Sequence, residues 1–170
     1  MNLPNRLTMV RIALIPVTCA LIALGLDVWA AAVFGAAALT DFLDGHIARK
    51  RGLVTAFGKF ADPVADKLLV LTAMILLTER GLLPGWATVV VAARELIVDG
   101  LRMVSAGQGK VVAAKWPGKL KTVLQIVLVL ALLLSGKNAF TSCLTVAAVA
   151  MTVVSGALYL RDFQDIFHDK

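Results

Sequence analysis

The chain has 170 residues, of which 59% are hydrophobic and only 16% charged, with a mean hydropathy of +0.86 and a net charge of +6. Soluble domains are about 45–50% apolar and about 25% charged, so this composition excludes an ordinary globular domain and points to an integral membrane protein. The positive balance does not argue for nucleic acid, because the bases gather at the ends of apolar segments, where anionic lipid headgroups and phosphorylated substrates are met.

A spanning helix needs about 20 mostly apolar residues. Six such segments nearly exhaust the chain, so residues 1–170 form a single membrane domain. Helix 1 is expected over about 8–26, after a polar entry at Asn2–Arg6, and helix 2 over about 28–49. Helix 3 is expected over about 60–78, helix 4 over about 86–106, helix 5 over about 119–135 and helix 6 over about 138–160, followed by a short polar tail. Glycine and proline mark the breaks at Gly81–Gly85 and Pro117-Gly118. Arg6 and Arg11 before an apolar stretch look like the start of a signal peptide. No convincing cleavage site follows, and five further segments do, so this is read as a retained first helix. Cys19 and Cys143 lie in apolar helices and are read as core packing.

Basic residues set the orientation. Fourteen of the seventeen fall on one side, Arg80 and Lys137 fall on the other, and Arg94 lies within helix 4. Both termini and the loops after helices 2 and 4 are therefore expected to face the cytoplasm, in the cytoplasmic membrane. Trp29 and Trp86 then mark the opposite interface. Arg11 is read as an interface anchor that also comes within reach of a lipid or substrate phosphate.

The chemistry is concentrated in an acidic run. Asp41 and Asp44 are three residues apart and share a helix face, as do Asp62 and Asp66 at a spacing of four. Four carboxylates in an apolar protein are costly and mark a functional site. A hard divalent cation, Mg²⁺ or Mn²⁺, would relieve their repulsion. Helices 2 and 3 are joined by a short loop, so the two pairs face each other near the cytoplasmic end. Two ions about 3.5–4 Å apart would suit a displacement at phosphorus. Gly45 and Ala48 leave room for a ligand, Arg49 offers bidentate donors to phosphate, and Gly58 allows close backbone approach in the loop. Taken singly, several of these have plain structural readings: Asp62 before Pro63 as a helix cap, Gly45 as a packing glycine, Arg49 as a topology anchor.

The full pattern Asp-x2-Asp-Gly-x2-Ala-Arg-x8-Gly-x3-Asp-x3-Asp, from Asp41 to Asp66, resembles the signature of the CDP-alcohol phosphotransferase family, and the whole chain is similar to that family's six-helix transmembrane core. The resemblance implies an all-α, six-transmembrane-helix bundle and an enzyme. It implies that Asp41, Asp44, Asp62 and Asp66 bind a pair of metal ions and that Asp66 is also the general base. It further implies that Gly45, Ala48, Arg49 and Gly58 hold the CDP part of CDP-diacylglycerol, that CMP is released, and that the chain forms a homodimer. The segments Asp62–Lys67, Asn5–Arg11, Ala93-Arg94-Glu95 and Gly118–Thr122 look like those of bacterial members whose acceptor is glycerol 3-phosphate.

Helix 4 carries Glu95, Asp99 and Arg102 at i, i+4 and i+7, one polar stripe. Helix 5 begins with Lys119 and Lys121. Closed around the carboxylates, these helices make a cationic pocket suited to a phosphorylated alcohol, with Arg102 and Lys119 as main phosphate ligands and Arg94 and Lys121 in support. The plainer alternative is intramembrane ion pairing, Arg94 with Asp99 and Glu95 with Arg102. Other acceptors, phosphatidylglycerol or an inositol phosphate, stay open at this point. So does a different class, a divalent-cation transporter, although no acid lies between Lys119 and Leu160 to line a path.

Overall fold

The computed structural model describes residues 3–51, 56–107 and 116–168, with side chains described outside 3–7, 41–51, 56–63, 66, 106 and 165–168. The described residues form six helices: α1 (Leu3–Ala23), α2 (Asp27–Arg51), α3 (Ala56–Glu79), α4 (Gly85–Gly107), α5 (Trp116–Ser135) and α6 (Ala139–His168). The element count and order match the hydropathy reading. Several boundaries move: α1 ends at Ala23, three residues before its expected end, and α3 begins at Ala56, four residues before its expected start. Helices α1 and α5 begin earlier than expected because Pro4 and Pro117 each sit second in their helix, where no intrahelical N–H bond is needed. Helix α6 runs on through the segment expected to be a polar tail, since nothing after Gly156 stops it.

Short links join α1 to α2, α3 to α4 and α5 to α6, and each pair packs together, so each is an antiparallel hairpin. Two of these turns close in the same way. Gly25 (φ 71°) and Gly81 (φ 72°) take the left-handed conformation after α1 and α3. Leu26 N–H then donates to Leu21 C=O at 2.9 Å, and Leu82 N–H to Leu77 C=O at 2.9 Å, which satisfies carbonyls the helix leaves open. Helix α6 is capped by a reciprocal exchange: Thr141 N–H donates to Asn138 Oδ1, and Asn138 N–H to Thr141 Oγ1, both at 2.9 Å.

Among the described residues the core fills the half of the bundle toward the Trp29–Trp86 end, through Ile22, Phe34, Met74, Leu77, Val91, Leu128 and Leu132. Ala30, Ala37, Ala73 and Ala87 are fully buried among them, and small residues let helix backbones approach closely. The outer surface is apolar as well: Val89, Leu96, Met103, Phe140, Val146 and Val153 are exposed. Helix α5 and residues Ala139–Gln164 of α6 are long and apolar enough to cross a membrane, with 33% of each apolar window buried. The helix of a soluble core would bury far more, so these faces suit lipid. Among the described side chains, Thr8–Ala23 of α1 and Asp27–Thr40 of α2 are shorter apolar stretches. Cys19 packs against the core, whereas Cys143 is exposed, which corrects its reading as a core residue.

At the end that carries Trp29 and Trp86, Arg80 ties three helices together. It pairs with Asp27 through both guanidinium arms, one at 2.9 Å, and donates to the Ile22 carbonyl at 3.2 Å. The hydrogen bond from Arg80 holds the Asp27 carboxyl below its ordinary value of 3.8, against the opposing effect of partial burial. A lowered folded value means the contribution is present above the unfolded value and is lost as pH falls through the folded one. Asp27→Asn is expected to lower stability in detergent by about 0.5–1 kcal/mol near neutral pH. The wild type's advantage should disappear on acidification below 3.8, as read by paired thermal melts across pH.

Candidate active site

Helix rise of about 1.5 Å per residue sets the depth of each group, measured from the Trp29–Trp86 end. Asp41 in α2 and Asp66 in α3 both fall about 20 Å from that end, and Asp44 and Asp62 about 25 Å. The two acidic pairs thus lie at matched depths on neighbouring helices. Their side chains, with those of Gly45, Ala48, Arg49 and Gly58, lie outside the described ones. The backbone settles two points. Helix α3 starts at Ala56, so Asp62 lies inside the helix and is not its cap. For the same reason Gly58 belongs to the first turn of α3 and not to a loop.

Among the described residues no group of three or more His, Cys, Asp or Glu could hold a metal ion. The four aspartates, carried by two adjacent helices, are oxygen donors of the kind a hard divalent cation takes. Arg11 stands about 18 Å along α1 from the same end, level with Asp41 and Asp66. It is 1% exposed and packed where α1 meets α2 and α3, which corrects its reading as an interface anchor. A guanidinium at that depth is held inside the bundle and does not reach for headgroups.

Next to the carboxylates lies a second charged cluster, built by α3, α4 and α5. Lys67, adjacent to Asp66 in sequence, crosses to pair with Asp99 of α4. Glu95, one turn away on α4, is 3% exposed and accepts a bond from Lys121 of α5, itself 6% exposed. The Arg94 guanidinium lies 3.3 Å from both carboxylate oxygens of Glu95. Buried pairs of this kind hold only when geometry and counter-charges are complete. The intrahelical pairs expected from spacing, Arg94–Asp99 and Glu95–Arg102, are therefore not the ones formed: Glu95 and Asp99 reach across to neighbouring helices.

Arg94 and Lys121 are brought together in this cluster. Arg102 and Lys119 are not part of it. Arg102 is exposed and sits over the Tyr159 ring of α6, 5.5 Å from its centroid, and Lys119 is exposed at the start of α5. Lys67, a neighbour of the acidic motif, was missed as a member of the cluster. Its signal was the charge directly following Asp66. Beyond the cluster, Gln125 donates to Thr152 at 3.0 Å and joins α5 to α6.

Residues 1–154 match the family model for CDP-alcohol phosphatidyltransferases. The chain is 44% identical, over 93% of its length and 93% of the relative's, to the CDP-diacylglycerol–glycerol-3-phosphate 3-phosphatidyltransferase of Bacillus subtilis. It is 40% identical to the enzyme of the same name from Escherichia coli K12, over 94% of this chain and 89% of that one. It is also 40% identical to a probable phosphatidylglycerophosphate synthase of Mycobacterium tuberculosis, covering 97% of this chain and 83% of the relative.

Proposed function

The chain belongs to the CDP-alcohol phosphatidyltransferase family, and from that premise we propose that it transfers the phosphatidyl group of CDP-diacylglycerol to sn-glycerol 3-phosphate. The products are phosphatidylglycerol phosphate and CMP, a step of phospholipid synthesis. The observation that carries the reading is the pairing of two sites at one depth: the acidic motif of α2 and α3, and the cationic cluster of α3, α4 and α5 beside it. The names of the relatives fit this acceptor.

Asp41, Asp44, Asp62 and Asp66 would hold the divalent cations, Mg²⁺ or Mn²⁺, as a pair. A bound divalent cation lowers the pKa of an alcohol and stabilises charge on the attacking and leaving oxygens. Gly45, Ala48, Arg49 and Gly58 would seat the CDP moiety. The acceptor hydroxyl attacks the phosphorus that bears diacylglycerol, a new O–P bond forms, the bond to the CMP phosphate oxygen breaks, and Asp66 takes the hydroxyl proton. Arg94 and Lys121 would neutralise the phosphate of the acceptor, with Arg102 and Lys119 at the mouth drawing it in.

All six helices would cross the bilayer, with both termini and the site toward the cytoplasm. Support comes from the asymmetric distribution of basic residues and from the apolar outer surface. A homodimer in the cytoplasmic membrane completes the reading.

The test is CMP release by the purified chain with CDP-diacylglycerol and Mg²⁺, offering glycerol 3-phosphate, inositol 1-phosphate, phosphatidylglycerol or serine. Release is expected with glycerol 3-phosphate alone, to vanish with EDTA and to return on adding Mg²⁺. Release with a different acceptor only would overturn the acceptor, and release unaffected by EDTA would overturn the metal assignment.

A further inference from the structure

The cationic cluster has a feature that ion pairing alone does not account for. Among the described residues, Lys67, Arg94 and Lys121 pair with two carboxylates, Glu95 and Asp99, so three cations share two described acids. Two of those cations share a single carboxylate. Arg94 and Lys121 would repel each other at that spacing, and Glu95 between them draws both to one place. Arg94 also keeps its Nε buried with no hydrogen-bond partner. A buried donor left open in this way is unusual and marks a group held for something other than packing.

The other side of Arg94 is shaped by α6. A Cβ placed on Gly156 would stand 3.1 Å from Arg94 Cγ and 3.8 Å from its Nε. The absence of a side chain at this position is what lets the Arg94 stem lie across α6, and Gly156 is buried there. Arg94 is thus fixed from two directions, by a carboxylate at its tip and by a gap along its stem.

We propose that Glu95 and Gly156 are positioning residues for the phosphate of the acceptor, acting through Arg94 and Lys121. Glu95 gathers the two cations, Gly156 admits the Arg94 side chain, and a phosphate monoester takes the donors that Glu95 leaves open. Neither residue touches the reacting phosphorus. The inference rests on the acceptor reading above and adds to it the residues that set acceptor affinity.

The experiment is steady-state CMP release by the full chain in mixed micelles, with each substrate varied in turn, for Glu95→Gln, Glu95→Asp, Gly156→Ala and Thr152→Val. Glu95→Gln and Gly156→Ala should raise the KM for glycerol 3-phosphate by about tenfold or more, with the KM for CDP-diacylglycerol within about twofold of wild type. Such a factor is what about 1.4 kcal/mol of lost binding gives. Glu95→Asp should recover part of the loss. Thr152→Val removes the nearby Gln125–Thr152 bond without touching the cluster and should change neither KM. Wild-type acceptor KM in both Glu95→Gln and Gly156→Ala would overturn the proposal, as would an equal rise in both KM values. If Glu95→Gln does not fold, Gly156→Ala alone decides it. If the wild type uses a different phosphorylated acceptor, the functional reading falls by itself, and the same variants are scored on that acceptor's KM.

Discussion

Asp66→Asn is expected to reduce CMP release by at least about 10³-fold while leaving a folded, dispersed protein. A general base alone contributes about 10²–10⁴-fold, and this residue would also be a ligand of the divalent cation. The substitution keeps the shape and removes the charge, so the helix should tolerate it. Asp66 stands in the middle of α3, next to Lys67, whose ion pair with Asp99 is built by a different side chain and should survive. The measurement is CMP release against protein concentration, paired with a thermal melt in detergent. Activity within tenfold of wild type would remove Asp66 from both roles. Loss of activity together with loss of the folded transition would assign it to structure instead.

The second large effect concerns stability. Lys121→Met should destabilise the bundle by about 3 kcal/mol, because breaking a buried pair leaves Glu95 without its closest counter-charge. Glu95 is 3% exposed, and its remaining contact with Arg94 is the longer one, at 3.3 Å. Adding Glu95→Gln should recover part of that loss, since the double variant no longer buries a carboxylate held only by its longer contact with Arg94. The double variant being milder than Lys121→Met is the signature of direct coupling. Denaturant titration of the three proteins in mixed micelles reads it, and strict additivity would mean that the Lys121–Glu95 pair is energetically idle.

What the sequence made legible follows from what each signal measures. Hydropathy reports water-to-lipid preference, so all six helices could be located, and Gly81 announced the turn after α3. Proline misleads at helix starts: Pro117 read as a break and Pro4 as part of a polar entry, yet both belong to first turns. The acidic motif was readable because i+3 and i+4 spacing places groups on one face without knowledge of neighbours. Partner choice in the second cluster was not. The stripe Glu95–Asp99–Arg102 is correct as periodicity, yet Glu95 turns to Lys121 and Asp99 to Lys67, choices made by the helices packed alongside. Arg11 shows the same blindness: an arginine near a helix end looks like an anchor until packing of α1 on α2 and α3 encloses it. Gly156 carried no signal at all, since its importance depends on a side chain from another helix.

The three tight turns at the Trp29–Trp86 end have a consequence for biogenesis. In the proposed orientation these are the segments that must be carried across the bilayer, and none holds more than one basic residue: the first has none, the second Arg80, the third Lys137. A chain so built can enter as three helical hairpins, each moving little polar material. Asp27 arrives with the first hairpin, and Arg80 with the second, so the later cation finds its counter-charge already in place. The Asp27–Arg80 clip therefore joins the first hairpin to the second: if the second hairpin inserted without the first, that arginine would lack Asp27 at the far interface.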